Sequence, residues 1–166
     1  MLRLMIVDDH TIFREGLRTL LELEEDFDVV GEASSGGEAV GLATEQAPDI
    51  ILLDLHLADG NGADFCPDLL RVSPESRILI LSAYDDEYEV TAALVAGASG
   101  YVPKRAAPDD LLIAIRTAAR GEVFLYPSLA TRLVQDYLKR AETGDQPLVY
   151  DDLTPREREV LILIAE

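Results

Sequence analysis

Short apolar runs alternate along this chain with longer stretches in which apolar residues recur every three or four positions. Leu2–Val7, Asp28–Ala33, Ile50–Leu53, Arg77–Leu81 and Ser99–Val102 are rich in Ile, Leu and Val, and predict strands. Between them Thr11–Leu23, Gly36–Glu45, Ala63–Val72 and Asp86–Ala96 have helical spacing, as in Phe13, Leu17, Leu20 and Leu21. Pro108–Arg120 follows the last strand, with a proline suited to a first helical turn, and Gly97 is placed to end the helix before that strand. Five strands alternating with five helices predict right-handed crossovers. The expected unit, residues 1–121, is a doubly wound α/β domain with a five-stranded parallel sheet.

Residues 122–152 read as a linker that holds a sixth helix over about 127–140, with an apolar stripe of Leu129, Leu133, Val134, Tyr137 and Leu138. The stretch ETGDQPLVYDD, residues 142–152, is polar and carries Gly and Pro. Residues 153–166 begin another helix, with Thr154 as N-cap, Pro155 at the first position and Glu157 completing a capping box. This C-terminal helical extension is still running at Glu166.

Charge narrows the range of functions. With 14 Lys and Arg against 32 Asp and Glu, the net charge of −18 opposes nonspecific contact with nucleic acid or anionic membranes. Arg156 and Arg158 are the only basic residues of the last segment and are countered by Glu157, Glu159 and Glu166, so these 166 residues alone are not expected to bind an operator. Cys66 is the single cysteine and reads as a small buried hydrophobe. The opening MLRLMIV runs straight into two aspartates, unlike a signal peptide. No apolar run approaches the ~20 residues that span a membrane, and a cytoplasmic location is expected.

In a parallel sheet, ligands bind beyond the carboxyl ends of the strands. Strand one ends at Asp8 and Asp9, strand three at Asp54 and strand four at Ser82, while Lys104 follows strand five. Three carboxylates, a hydroxyl and an amine therefore share one rim. Crowded carboxylates repel and call for a cation, and hard oxygen donors suit Mg²⁺. One carboxylate could then act as nucleophile on a phosphoryl group, whose charge the metal and Lys104 would offset. Each residue alone has a plainer explanation: a helix cap for Asp8-Asp9, a turn for Asp54, a surface lysine for Lys104. It is their joint placement that points to chemistry.

The same residues resemble bacterial response-regulator receivers, over residues 2 to about 120: Asp8-Asp9, Asp54, Ser82-Ala83 and Gly100-Tyr101-Val102-Pro103-Lys104. The resemblance implies a flavodoxin-like sheet of strand order 2-1-3-4-5. It implies that Asp54 is the phosphoacceptor, Lys104 its ion-pair partner, Ser82 the switch hydroxyl and Tyr101 the switch aromatic. Mg²⁺ would be held by Asp9 directly, by Asp8 through water, by Asp54 and by the backbone carbonyl of His56. MIVDDHTIFREGL and GASGYVPK are similar to the NarL/FixJ type, and LTPREREVLILIA to the opening of its LuxR-like helix-turn-helix. The implied protein is phosphorylated by a sensor histidine kinase. It controls transcription through DNA bound by the full-length protein, and forms homodimers around the fourth and fifth or the first and fifth helices. It would be no enzyme beyond its own phosphoryl transfer and autodephosphorylation. Two departures stand out: Ala58 replaces a proline that stiffens the loop after the acceptor, and Arg105 replaces the proline after the lysine.

His10 and His56 are the only histidines, two ligands without a third for a transition metal, and read as solvated loop residues. His56 and Tyr84, each two positions beyond a site residue, are expected to tune hydrolysis of the phosphate. Tyr88 either joins a partner surface or covers the core. The competing readings are a receiver-like interaction module that works without phosphorylation, a flavodoxin-like redox protein and a phosphatase. The aspartates after strand one would repel a flavin phosphate, and the aspartate-x-aspartate nucleophile pair of a phosphatase is missing.

Overall fold

A computed structural model describes residues 1–83 and 87–143, with only the backbone described at Glu87, Arg140 and Thr143. Tyr84, residues 144–152 of the expected linker and the helix expected at 153–166 lie outside the described residues. The elements run β1 (Leu2–Val7), α1 (Thr11–Glu22), β2 (Phe27–Ala33), α2 (Gly36–Gln46), β3 (Ile50–Asp54), β4 (His56–Leu57), β5 (Gly60–Asn61), α3 (Gly62–Val72) and β6 (Arg77–Ser82). They continue with α4 (Glu87–Val95), β7 (Gly100–Pro103), α5 (Pro108–Ala119), β8 (Phe124–Leu125) and α6 (Pro127–Thr143).

The main sheet has the order β2-β1-β3-β6-β7-β8, and every pairing in it is parallel. Its first five strands follow the order expected, and a sixth is added at the edge. β8 pairs Phe124 with Gly100 and Leu125 with Tyr101. A two-residue, half-buried strand carries too little periodicity to be read from sequence. Gly100 does mark it, because a Cβ there would stand 2.6 Å from the Phe124 carbonyl oxygen. A second pairing, the β4–β5 hairpin, follows Asp54 directly.

The strands read as unbroken apolar runs because both faces of the sheet are covered. Met5, Val7, Ile51, Leu53, Ile78 and Ile80 pack with α2, α3 and α4 on one face, where Cys66 is also fully buried. Leu4, Ile6, Ile50, Leu52, Leu79 and Leu81 pack with α1 and α5 on the other. Burial pushes the Cys66 thiol up to about 12, so it behaves as a small hydrophobe. The parallel register also aligns the strand ends. Val7 pairs with Leu53, Asp54 with Leu81, and Ser82 with Pro103. The residues at or just past those ends, Asp8, Asp54, Ser82 and Lys104, therefore form one row.

Only the first turns of α6 belong to the core. Leu129 is 1% exposed and Leu133 packs beside it, on the face shared with Val90, Ala93 and Leu94 of α4. Tyr137 and Leu138, expected to continue that stripe, are exposed. Leu129→Ala should therefore cost about 2–5 kcal/mol, the usual range for a buried leucine. Leu138→Ala should stay within about 0.5 kcal/mol of wild type. Urea denaturation of the two variants, followed by circular dichroism, tests this difference.

Candidate functional site

Asp8, Asp54 and Ser82 are at most 2% exposed, although all three are polar. Asp54 owes its depth to β3, whose five residues are all buried. Gly62 keeps the acceptor loop tight, since a Cβ there would meet the Asp54 carbonyl oxygen at 2.2 Å. Lys104 is fixed from β7: its N–H donates to the Ser82 carbonyl at 2.8 Å, and its ammonium lies 4.4 Å from the centre of the Phe13 ring. All described peptide bonds are trans, and with Arg105 after it Lys104 still reaches the rim.

Lys104 Nζ stands 2.7 Å from Asp8 Oδ2 and 3.2 Å from Asp54 Oδ2. Asp8 Oδ2, Asp9 Oδ1 and Asp54 Oδ2 are buried atoms, and the Lys104 ammonium pairs with the first and the last. The other oxygens are better served, for Asp8 Oδ1 accepts the His10 N–H at 2.8 Å and Asp54 Oδ1 the His56 N–H at 3.3 Å. Burial pushes the Asp54 carboxyl above its ordinary range and the charge of Asp8 adds to this, against the opposing pull of Lys104 and the His56 N–H.

Asp8, Asp9, His10 and Asp54 each offer one donor atom, and these atoms lie within 4.8 Å of one another. Carboxylate oxygens gathered at one rim fit a metal ion, and this cluster could hold one. Sequence reasoning took His10 for a solvated loop residue. Its side chain is indeed 68% exposed, and its Nδ1 lies 3.1 Å from both Asp8 Oδ1 and Asp9 Oδ1.

His56 points elsewhere, with Nε2 3.4 Å from Glu89 Oε2 on α4. Tyr101 is fully buried among α4 residues. Tyr88 is 80% exposed and does not cover the core. Without a proline at position 58, the loop is tied down by another residue. Asp59 accepts the N–H groups of Gly36 at 3.0 Å and Gly37 at 3.1 Å, at the start of α2. Those bonds hold the Asp59 carboxyl below its usual range.

A doubly wound sheet with this acidic carboxyl edge is the architecture of a phosphorelay receiver. A family model described as response regulator receiver domain matches residues 4–116, and the chain belongs to that family. Among curated relatives, the transcriptional regulatory protein LiaR of Bacillus subtilis is 36% identical over 167 residues, covering 100% of this chain and 77% of LiaR. The nitrate/nitrite response regulator NarL of Escherichia coli is 38% identical over 163 residues, covering 98% of this chain and 74% of NarL. A crystal structure of a LuxR-family two-component response regulator from Aurantimonas sp. superposes with a TM-score of 0.79 at 36% identity, covering 83% of this chain and 99% of that one. Within the family the chain is thus of the NarL/LuxR type, the response regulators of two-component signalling and transcription control.

Because the folded chain holds the Asp54 proton more tightly than the unfolded chain, ionising Asp54 costs folding free energy. That cost is absent below the ordinary carboxyl value of 3.8 and grows as the pH rises through the higher folded value. Asp54→Asn should therefore resist urea better than wild type near pH 7 in cation-free buffer. The gap should close as the pH falls toward 3.8.

Proposed function

We propose that Asp54 accepts a phosphoryl group from a sensor histidine kinase, and that the adduct switches the chain between two conformations that control transcription. The observation that carries this reading is the Asp54 Oδ2 atom, buried at the end of the central strand with the Lys104 ammonium 3.2 Å away. In the transfer, a carboxylate oxygen of Asp54 forms the new O–P bond while the N–P bond to the kinase histidine breaks, and the imidazole leaves. Lys104 pairs with a phosphoryl oxygen and Ser82 donates a hydrogen bond to another.

Mg²⁺ suits this oxygen-rich set and, when bound, would offset negative charge on the phosphoryl oxygens. Asp9 would ligate it directly and Asp8 through water, with Asp54 and the His56 carbonyl completing the protein's share. His56 and Tyr84, each two positions beyond a site residue, tune the lifetime of the adduct. The only chemistry catalysed is the chain's own phosphorylation and autodephosphorylation.

The adduct adds about −1.5 to −2 charge near pH 7. Its contacts differ between the two states, so it shifts their populations. Ser82 moves toward the phosphoryl oxygens and Tyr101 is held inward. The response is homodimerisation through the surface around α4 and α5, where Tyr88, Val95 and Ile113 are exposed. Residues 1–121 act as the receiver, 122–152 as the connection and 153–166 as the first helix of a LuxR-like DNA-binding domain. DNA is contacted by the full-length protein in the cytoplasm.

Acetyl phosphate with Mg²⁺ should yield a hydroxylamine-labile adduct, and Asp54→Asn should abolish it. Undiminished labelling of that variant would move the acceptor to another residue. Asp9→Ala should weaken Mg²⁺ binding about tenfold or more, and Asp8→Ala distinctly less, as measured by calorimetric titration.

A further inference from the structure

Helical spacing puts Phe13, in the first turn of α1, on the same side as Leu17 and Leu20. Its ring packs against the apolar layer that contains Leu17, Leu81, Val102 and Leu111. Lys104 Nζ lies over that ring, 4.4 Å from its centre. The ring therefore joins the core of the sheet to the charged rim. Phe13 and Lys104 also line one cleft between α1 and α5, whose other walls include Leu17, Pro103 and Leu111.

Two charged partners draw the Lys104 ammonium along the rim, Asp8 Oδ2 at 2.7 Å and Asp54 Oδ2 at 3.2 Å. Its backbone is pinned by the N–H bond to the Ser82 carbonyl, but a flexible four-carbon stem separates the two ends. The cleft opens beside that stem, so without the ring the side chain would be free to swing away from the carboxylates. An aromatic face attracts an ammonium through its quadrupole and brings no charge of its own. A third carboxylate in that place would add to the crowding and compete with a phosphoryl group for the lysine. The ring also keeps water from one side of the ammonium, which strengthens its pull on the groups at the rim.

We propose that Phe13 is a positioning residue for the phosphoryl transfer, its ring face holding the Lys104 ammonium where the phosphoryl oxygen arrives. Once an Asp54 oxygen takes the new O–P bond, its pairing with the lysine weakens. The ring contact does not depend on the charge of Asp54, so it keeps the ammonium in place through the transfer. This inference rests on the reading that Asp54 is the acceptor and that Lys104 pairs with a phosphoryl oxygen.

The test labels residues 1–166 with acetyl phosphate and Mg²⁺ as wild type, Phe13→Leu and Phe13→Tyr, with circular dichroism comparing their folds. Leucine keeps an apolar side chain and removes the aromatic face, whereas tyrosine keeps the face. The expected labelling rate is about fivefold lower in Phe13→Leu and within about twofold of wild type in Phe13→Tyr. Protons held over an aromatic face resonate upfield. The Lys104 ε-methylene protons of unphosphorylated wild type should therefore lie upfield of the ordinary lysine position, as should those of Phe13→Tyr but not of Phe13→Leu. Equal rates in wild type and Phe13→Leu, or a Phe13→Tyr rate as low as that of Phe13→Leu, overturn the role of Phe13. An unshifted lysine resonance in wild type overturns it as well, whether or not Phe13→Leu folds. Failure of wild type to take the label overturns the acceptor reading instead, and the lysine shift still decides whether the ring holds the ammonium.

Discussion

The site depends on one ammonium group. Lys104 reaches Asp8 and Asp54 together, and without it the strand ends would bring buried negative charges together uncompensated. The sheet cannot relieve this strain by moving apart, because Val7 and Leu53, Asp54 and Leu81, and Ser82 and Pro103 are locked in register by backbone hydrogen bonds. Stability is therefore given up at one edge of an otherwise well-packed core. What is gained is a crowded set of carboxylates at one rim, two of them bridged by a single ammonium.

Around that edge the supporting contacts are mostly backbone. The Lys104 N–H bonds to Ser82, and the His56 N–H reaches Asp54. Asp59 grips the first turn of α2 through two N–H groups, so the acceptor loop is anchored to a helix on the covered face of the sheet. A carboxylate at a helix start is also favoured by the helix dipole. Such anchors tolerate changes in neighbouring side chains, which is why Ala58 and Arg105 leave the arrangement of charged groups intact.

Most of the fold could be read from the chain because each strand is buried on both faces and each helix has a clear apolar side. The order of residues at the strand ends then made Asp8, Asp9, Asp54, Ser82 and Lys104 legible as a group. What escaped was short or irregular. β8 is two residues long, and the β4–β5 hairpin is built from pairings of only two residues a side, so neither generates a period. The direction of the His10 ring depends on the backbone bend between β1 and α1, which residue type does not specify. The stripe along α6 was visible, but the point where it leaves the core depends on α4, a neighbour far away in sequence.

That departure point gives α6 the geometry of a lever. Leu129 sits in the same packed layer as Tyr101 and α4, while the helix runs on for 14 further residues to Thr143. At 1.5 Å per residue the stretch from Leu129 to Thr143 is about 21 Å long. A tilt of about 10° at Leu129 would carry the far end through about 4 Å, while the side chains at the pivot shift by only a few tenths of an ångström. A rearrangement too small to disturb the close-packed interior would thus arrive at Thr143 as a displacement wide enough to make or break a side-chain contact.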